Sequence, residues 1–581
     1  MRVLLLHPED SPRRGPWTRQ RWDLVVDLGK SSHFSEEDWA QLYGCPVWRA
    51  DLFRQGIADV RRVRQIFSSG RGRLVDGEGI DWWEFVSLLL VPEVLTALAV
   101  ERIAAEISPV ADLWATRNGF PASLFGIALE RPVRSFGESV LARVVASSGR
   151  YAGLVSRFSS AQIKEIILDK YDASYRWRAR FAARPERCRS SVVVLPSAYA
   201  NVSRTAAAYA RLLPAQSFLL VATRQSAKQV IAPANVQLRD LAAYAKRTAA
   251  GEMVCLTDRW NKVASDLCSI PELRTLFRAG VLDRIPVWLR DGLCARDAWR
   301  GVIEGEPVSG VLCGDDSNLY TRLPVVLAAR RGIPTADFHH GALDGRYLLK
   351  DLPCDVYLAK NEMERDYLLR VCNIPGERVV IGAPPHSQLG LRAEHSEPLR
   401  KSAIFFSEPY ESAGMRGEEV YREILPALCR LVRQNGCELI LKLHPFEIAS
   451  HRNKILHDVL TPDDRKQITV IAGPLTNDLI SHAWFGMTVE SSTVLDCVQN
   501  GVLCFLCAWM KVSPYEYVEQ YDRFGIGQVL ANVEQIGEIP ARLAEFHSRM
   551  LPSPMLSTPA DPAMLRAWLS GELRDRARPA S

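Results

Sequence analysis

Two short turns late in the chain carry side chains that could bind a phosphate group. One turn places His444 after the apolar run LILKL, with Lys442 inside that run, and the other reads Glu490-Ser491-Ser492. An imidazole or an ammonium group can hydrogen-bond and neutralise a phosphate, and serine hydroxyls at a helix N-terminus can add to an anion site. The same serines would also suit plain helix capping, so it is the coincidence of the two turns that predicts a phosphate site.

A second group of candidates lies earlier, in two turns rich in carboxylates and imidazoles. Asp315 and Asp316 follow the apolar run SGVLC, and His339-His340-Gly341 follows the run PTADF. This set could supply a general base, with a carboxylate orienting the imidazole. It could also bind a divalent metal, or the aspartates could simply cap the next helix.

The elements around these turns alternate short apolar strands with amphipathic helices. This alternation runs from about residue 309 to 510 and is typical of parallel sheets covered by helices on both faces. The segment VVIGAPP (379–385) reads as a hinge, which divides the region into two doubly wound units joined near residue 390. In such sheets ligands bind beyond the carboxyl ends of the strands, where the candidate turns are expected to lie.

The first third of the chain is harder to assign. RVLLLHPED and WDLVVDLG are plausible strands, whereas residues 35–185 are rich in helix-forming sequence. The expected fold class is therefore α/β, with two Rossmann-like doubly wound parallel-sheet domains and a helix-rich N-terminal region. We expect domains over 1–185, 186–392 and 393–581, the first being a separate domain or an insertion and the last ending in helices.

Composition indicates a folded protein of a reducing compartment. The chain has 581 residues, 47% of them hydrophobic and 24% charged, and its odd number of cysteines lies mainly in apolar segments. Cys504 and Cys507 form a C-x-x-C pair inside a strand, where this spacing directs the two thiols to opposite faces. Proline and charged residues interrupt the apolar stretch 85–107, which favours a buried helix pair over a membrane span. We expect a cytoplasmic protein.

The net charge of +5 is small for a chain of this length, although basic residues cluster at 61–73 and near the C-terminus. These clusters fit a solvated face or a contact with anionic lipid. No zinc-finger, RNA-binding or helix-turn-helix signature accompanies them, so no nucleic-acid partner is expected.

Taken together, the turns and the two-unit architecture resemble the GT-B glycosyltransferases, in which the C-terminal half binds the donor nucleotide and the N-terminal half the acceptor. A His-Pro motif and a paired-serine motif are shared by the bacterial sialyltransferases, the Kdo transferases and the CDP-glycerol glycerophosphotransferases. The resemblance implies that His444, Ser491 and Ser492 contact the donor phosphate. It also implies that His340-Gly341 matches the proposed His-Gly base of the glycerophosphotransferases.

Two features of the sequence depart from a single family. The sialyltransferases place their acidic base in an Asp/Glu-Asp/Glu-Gly motif, whereas the order here is Gly314-Asp315-Asp316. The stretch from 314 to 346 also resembles UDP-N-acetylglucosamine 2-epimerases, which share the fold. Glu490 would suit a ribose ligand or a helix-dipole partner, and Ser407 is expected to face the same crevice. Asn201, Ser203 and Arg204 are expected either on the acceptor side or as helix caps.

The function expected from this sequence is an inverting, metal-independent glycosyltransferase acting on a bacterial surface glycan. His340 or Asp316 would be the base, and a CMP-linked acid sugar is the favoured donor because a single leaving phosphate can be neutralised without a metal. No cofactor is expected. The partners would be the nucleotide sugar and a glycan or lipid-linked acceptor, with peripheral contact at the inner membrane. The alternatives are a nucleotide-sugar epimerase and a non-catalytic glycan-binding scaffold.

Overall fold

Three parallel β-sheets with flanking helices form the described part of this chain. The computed structural model describes residues 1–29, 36–50, 52, 57–117, 119, 121–136, 179, 182–183, 185–245, 250–316, 318–341, 343, 353–385, 402–444, 447–473, 475–510, 516–548 and 558–573. The predicted junction near residue 390 and the C-terminal basic cluster lie outside these residues.

The first sheet has the strand order β3-β2-β1-β4-β5. Its strands are β1 Arg2–Leu6, β2 Leu24–Asp27, β3 Val47–Arg49, β4 Asp112–Ala115 and β5 Val133–Ser135. The first two are the strands that the sequence predicted in this region. The other three pair beside them in parallel, so the region predicted as helix-rich also contains a sheet.

The second sheet has the order β12-β11-β10-β9-β6-β7-β8 and the third has the order β15-β14-β13-β16-β17-β18. Strands of the second sheet are β6 Val192–Ser197, β7 Ser217–Ala222, β8 Val236–Asp240, β9 Val308–Cys313, β10 Thr335–Phe338, β11 Val356–Ala359 and β12 Val379–Ile381. Strands of the third sheet are β13 Ser402–Phe406, β14 Glu438–Lys442, β15 Ile468–Ile471, β16 Ala483–Thr488, β17 Cys504–Cys507 and β18 Gln528–Leu530.

Both sheets are doubly wound, because the chain starts each one near its middle and then extends it in both directions. This confirms the predicted α/β class with two Rossmann-like units. The switch point lies between β6 and β9 in the second sheet and between β13 and β16 in the third. Crevices at such switch points are the usual ligand sites of open parallel sheets.

The described α-helices connect the strands or cover the sheets. Their bounds are Glu36–Tyr43, Ile57–Phe67, Trp82–Ile107, Ala122–Ala128, Ala200–Arg211, Ala250–Leu267, Pro271–Arg278, Ile285–Gly305, Leu319–Arg330, Glu362–Arg370, Gly417–Gln434, Ala449–Val459, Pro462–Arg465, Asn477–Ser481, Thr493–Gln499, Tyr517–Arg523, Ile539–Ser548 and Pro562–Leu569.

The helix Trp82–Ile107 replaces the helix pair that the sequence predicted. It continues through Pro92, and the Thr96 hydroxyl donates to the Pro92 carbonyl oxygen at 2.9 Å. Among the described residues it is the one helix that is long and apolar enough to cross a membrane. However, 67% of its 18-residue apolar window is buried inside the protein. It packs against the helices Ile57–Phe67 and Pro271–Arg278 in the largest hydrophobic cluster of the described residues, so its apolar surface serves the core.

The two cysteine side chains of β17 point to opposite faces of the strand, as the alternation of side chains along a strand predicts. Cys504 belongs to one hydrophobic cluster and Cys507 to another, on opposite faces of the third sheet. Both thiols are fully buried, which confirms the predicted orientation.

The C-terminal helix Pro562–Leu569 packs on the second sheet, whereas the sequence grouped it with the third. Leu565 and Trp568 are buried in the cluster that contains strands β6, β7 and β10. The segment before this helix forms an isolated bridge between Ala383 and Pro559, at the end of the predicted hinge. This segment therefore contributes to the core of the second unit.

Buried arginine side chains join the first sheet to both other sheets. Arg416, which precedes the helix Gly417–Gln434 of the third unit, forms an ion pair with Asp27 at 2.6 Å, and both side chains are almost fully buried. The guanidinium also donates to the carbonyl oxygens of Leu6, His7 and Asp10. On the other side, buried Arg322 of the second unit pairs with Glu84.

We expect Arg416→Met to lower the free energy of unfolding by about 3–5 kcal/mol, because it leaves the buried Asp27 carboxylate without its cation. The matched control is Arg14→Met, since Arg14 pairs with Asp458 at 2.7 Å across the same two units but is 63% exposed. The control should cost less than about 1 kcal/mol. Urea denaturation measures both, and equal losses would contradict a special role for Arg416.

Candidate active site

A cavity of about 920 Å³ lies between the second and third sheets, at the carboxyl ends of their strands. On the second-sheet side it is lined by His340 and Gly341 after β10 and by the helix Ala200–Arg211 after β6. On the third-sheet side it is lined by Ser492 and by the helix Thr493–Gln499 that follows β16. The cavity therefore brings together predicted residues from both units.

His340 is held by the loop that follows β9. Its Nδ1 lies 3.2 Å from the Gly314 carbonyl oxygen. A carbonyl can only accept, so a neutral imidazole in this contact carries its proton on Nδ1 and leaves Nε2 as the basic nitrogen. Gly314 is required here because a Cβ would lie 2.5 Å from the Phe338 ring. A backbone carbonyl thus takes the orienting role that the sequence assigned to a carboxylate.

The two aspartates beside this loop are buried and have structural contacts. Asp316 forms an ion pair with Arg322 at 2.8 Å, and both side chains are about 1% exposed. The Asp315 backbone carbonyl accepts a hydrogen bond from the Thr321 hydroxyl. In this arrangement Asp316 offsets the charge of Arg322, which differs from the role of base predicted for it. The sequence could not show this pairing, because the arginine lies on the following helix and also contacts Glu84 of the first unit.

The paired serines differ in how their hydroxyls are used. The Ser491 hydroxyl accepts from the Thr493 backbone N–H at 3.4 Å. Ser492 precedes the helix Thr493–Gln499 but makes no capping bond with its side chain. A Cβ added to Gly341 would lie 4.0 Å from the Ser492 hydroxyl oxygen, so the two units approach closely here. Within the described residues, Ser492 therefore presents to the cavity a hydroxyl with no hydrogen-bond partner.

His444 follows β14, in the same sheet as the strand before the paired serines, as predicted. Its backbone N–H donates to Glu447 Oε2 at 2.7 Å, and Glu447 also accepts from Arg452 at 2.6 Å. The Ser407 hydroxyl donates to Glu447 at 2.8 Å and contacts the Tyr421 hydroxyl at 2.7 Å. Ser407 is thus buried as a support of the His444 turn, whereas the sequence placed it facing the crevice.

Lys442 also has a backbone role. Its ammonium donates to the carbonyl oxygens of Leu443 at 2.9 Å and Gly473 at 2.7 Å. Burial lowers the pKa of this lysine, although the Glu447 carboxylate opposes the shift. The ammonium is committed to these two carbonyls, whereas the sequence predicted it at a phosphate.

A carboxylate pair occupies the switch point of the third sheet. Glu408, after β13, accepts hydrogen bonds from the Thr488 hydroxyl at 2.8 Å and from the Glu490 backbone N–H at 2.9 Å. Removal from water and repulsion by the Glu490 carboxylate raise the pKa of Glu408 to about 7, although these hydrogen bonds oppose the rise. Glu490 is half-buried beside it. The pair therefore changes charge near neutral pH.

Basic side chains line much of the cavity. Arg204, Arg211, Lys228 and Lys360 contribute to its second-sheet side, and Asp496 is the one carboxylate among the described lining residues. Loss of contact with water raises the pKa of the Asp496 carboxyl to about 6, although the Lys360 ammonium opposes that rise. The cavity thus has an excess of positive charge. Of the three acceptor-side candidates, Arg204 lines it, Ser203 is buried and Asn201 accepts from Arg204 at 3.0 Å.

Sequence reasoning did not single out Glu447 or Asp496. Glu447 lies three residues after His444, so a search of that whole turn for carboxylates would have found it. Asp496 falls one turn after the paired serines on a helix face, where only the packing of the two units shows its position. No group of three or more potential ligands within the described residues has the arrangement of a metal site.

Comparison with solved structures finds several proteins that resemble this chain at low sequence identity. The UDP-GlcNAc 2-epimerase from Neisseria meningitidis bound to UDP-GlcNAc is 12% identical, with 66% of this chain and 100% of that chain covered and a TM-score of 0.43. The Methanocaldococcus jannaschii UDP-GlcNAc 2-epimerase in complex with UDP-GlcNAc and UDP is 11% identical, with coverages of 66% and 100% and a TM-score of 0.42.

The calicheamicin glycosyltransferase CalG4 is 14% identical, with 68% of this chain and 100% of that chain covered and a TM-score of 0.40. At these values the likeness does not indicate a substrate or a reaction. No protein-family model and no curated protein sequence matches the chain.

We expect the stability contributed by the proton on Glu408 to be fully present below pH 4.5 and to be lost as the pH rises through about 7, because the pKa is higher in the folded than in the unfolded chain. The loss should be on the order of 1–2 kcal/mol, allowing for solvent screening of a half-buried group. Glu408→Gln keeps an acceptor oxygen and should abolish this pH dependence. Urea denaturation at pH 5 and pH 8 measures it.

The matched control is Glu534→Gln, which removes an exposed carboxylate at the surface. It should retain the pH dependence of the wild-type protein. A Glu408→Gln variant whose stability still falls between the two pH values as in the wild type would refute the assignment.

Proposed function

We propose that the protein is an inverting glycosyltransferase that transfers a sugar from a nucleotide donor to a surface-glycan acceptor. The observation that carries this proposal is the cavity between the carboxyl ends of two Rossmann-like sheets, with His340 on one side and Ser492 on the other. This arrangement suits a reaction between two substrates, each held by one unit. A base from the acceptor side then faces a phosphate-binding hydroxyl from the donor side.

His340 acts as the general base in this proposal. Its Nδ1–H donates to the Gly314 carbonyl, so Nε2 can take the proton from an acceptor hydroxyl. The acceptor oxygen then attacks the anomeric carbon, and the bond from that carbon to the phosphate oxygen breaks. A single displacement from the opposite face inverts the configuration. Asp316 is assigned to the Arg322 ion pair, and Asp315 to the support of the same loop.

The donor phosphate is assigned to the third unit, where His444 follows β14 and the paired serines Ser491 and Ser492 follow β16. The uncommitted Ser492 hydroxyl can donate to a phosphate oxygen as negative charge develops there. Strand β13 separates the two strands that carry these residues, which places them roughly 10 Å apart at the sheet edge. A nucleotide can span that distance, and the Glu490 carboxylate is proposed to accept hydrogen bonds from ribose hydroxyls.

The donor nucleotide is proposed from the same charge argument. A CMP-linked acid sugar is favoured because its one leaving phosphate can be stabilised by hydroxyl and imidazole groups without a metal. The acceptor is proposed to be a glycan or lipid-linked glycan, reached at the cytoplasmic face of the inner membrane by a cytoplasmic protein.

We expect His340→Ala to lower the rate of nucleotide release from the accepted sugar donor by about 10²–10⁴-fold, because general-base catalysis contributes that much. Nucleotide affinity should stay within about twofold, since the imidazole acts on the acceptor side. Incubation with a panel of CMP-, CDP- and UDP-linked sugars and a bacterial glycan extract, with nucleotide release followed by chromatography, provides the measurement.

The control for this change is His482→Ala, because His482 precedes β16 and lies at the opposite edge of the third sheet. It should leave the rate unchanged. An altered sugar configuration without nucleotide release, followed by NMR, would instead indicate an epimerase. Failure of the wild type to turn over any donor would favour a binding scaffold.

We expect calorimetry with CMP, CDP and UDP to show binding of one nucleotide, weakened by about tenfold in Ser492→Ala, because one hydrogen bond to a charged phosphate is lost. His444→Ala should also weaken binding of the same nucleotide, because the proposal places its imidazole at that phosphate. Thr493→Ala, adjacent to Ser492, serves as the control and should bind as the wild type. No binding of any of the three nucleotides would contradict the transferase proposal.

A further inference from the structure

One helix face on the second-sheet side of the cavity carries two arginines that the proposed reaction does not use. In the helix Ala200–Arg211, the residues Arg204, Ala208 and Arg211 follow the i, i+4, i+7 spacing of a single face, and all three line the cavity. The opposite face of this helix is buried. Because alanine has a short side chain, it leaves open space between the two guanidinium groups.

The four cations of the cavity differ in how their charge is balanced. Lys228 pairs with Asp240 at 2.6 Å, and Lys360 pairs with Glu364 at 2.8 Å. Within the part of the chain that the structure describes, Arg204 and Arg211 have no carboxylate within ion-pair distance. Arg204 contacts only the neutral Asn201 amide oxygen, at 3.0 Å. Both arginines are exposed and line the cavity, so an uncompensated double positive charge faces its interior.

The spacing of this charge indicates the shape of its ligand. Seven helical residues separate the Cα atoms of Arg204 and Arg211 by roughly 10 Å. Guanidinium groups bind phosphate and carboxylate groups through paired hydrogen bonds, and they do so better than a lysine ammonium. Two such groups along one wall match an extended ligand that carries acidic groups at intervals. A single neutral sugar would leave both charges unused.

Arg204 and Arg211 line a different side of the cavity from the residue proposed to bind the donor phosphate. The arginines lie on the side that also carries His340, whereas Ser492 lies on the third-sheet side. The only carboxylate among the described lining residues, Asp496, also lies on that opposite side. An anion bound by Arg204 and Arg211 would therefore lie on the same side of the cavity as His340, where the acceptor is expected.

We infer that the acceptor is an acidic glycan, with phosphate or carboxylate groups along its chain, bound by Arg204 and Arg211. This inference rests on the proposed function for its description of the ligand as the acceptor. The anion site itself rests on the two arginines and the cavity. Free energy of binding would come from charge-assisted hydrogen bonds, which weaken as salt is added.

The test is calorimetry on the full chain, first without nucleotide and then with the bound nucleotide at saturation to occupy the donor site. The probes are a short-chain inorganic polyphosphate, an oligogalacturonate and a neutral maltooligosaccharide. The variant is Arg204→Gln/Arg211→Gln. The control is Arg61→Gln/Arg278→Gln, which removes the same charge from exposed arginines on the helices Ile57–Phe67 and Pro271–Arg278.

We expect at least one acidic probe to bind the wild type while nucleotide is bound, and the Arg204→Gln/Arg211→Gln variant to bind it at least about tenfold more weakly. Nucleotide affinity should remain within about twofold, and the control should bind as the wild type. The acidic probe that binds distinguishes a phosphate-bearing from a carboxylate-bearing acceptor.

The inference is overturned if neither acidic probe binds the wild type or if saturating nucleotide displaces the probe completely. It is also overturned if the control loses as much affinity as the cavity variant, or if the neutral oligosaccharide binds as well as the acidic ones. A result in which no nucleotide binds but the arginine variant still loses the acidic probe would reject the transferase proposal and retain the acidic-ligand site.

Discussion

The interaction between Arg416 and Asp27 holds the first sheet against the third unit, and the rest of the arrangement depends on it. A guanidinium removed from water must find acceptors for its donors, and Arg416 finds a carboxylate and three carbonyl oxygens at the carboxyl ends of the first-sheet strands. On its other side the first unit is joined to the second by Glu84 and Arg322. The first unit thus forms buried ion pairs with both of the units that line the cavity.

The first and third sheets use the same topological position, the switch point, in two different ways. In the first sheet the switch point contains His7. Its backbone N–H donates to the Thr116 hydroxyl, and its carbonyl oxygen accepts a hydrogen bond from Arg416. Burial and the nearby arginines lower the pKa of His7 to about 3, so its ring stays neutral there. In the third sheet the same position contains the Glu408 carboxyl. Among the described residues, the second and third sheets line a common cavity at the carboxyl ends of their strands, and the candidate chemistry is found there.

Much of the fold follows from the sequence, because strand and helix periods are local properties. The strands that end before Asp315, His339, His444 and Glu490 lie where the pattern predicts them. Partners of charged side chains could not be predicted in the same way. Asp316 and Lys442 have the residue types of a site, but their contacts come from a following helix and a neighbouring loop. Residue type and strand end locate candidates, whereas tertiary packing decides which ones face the cavity.

The C-terminal helix Pro562–Leu569 has a consequence for the order in which the protein is built. Its Leu565 and Trp568 complete the apolar face of the second sheet, whose own strands end at Ile381. During synthesis from the N-terminus, the ribosome makes the whole third sheet before these two side chains emerge. The apolar face of the second sheet therefore stays uncovered while the third unit is synthesised and folds. We expect this nascent stage to be the one most prone to aggregation.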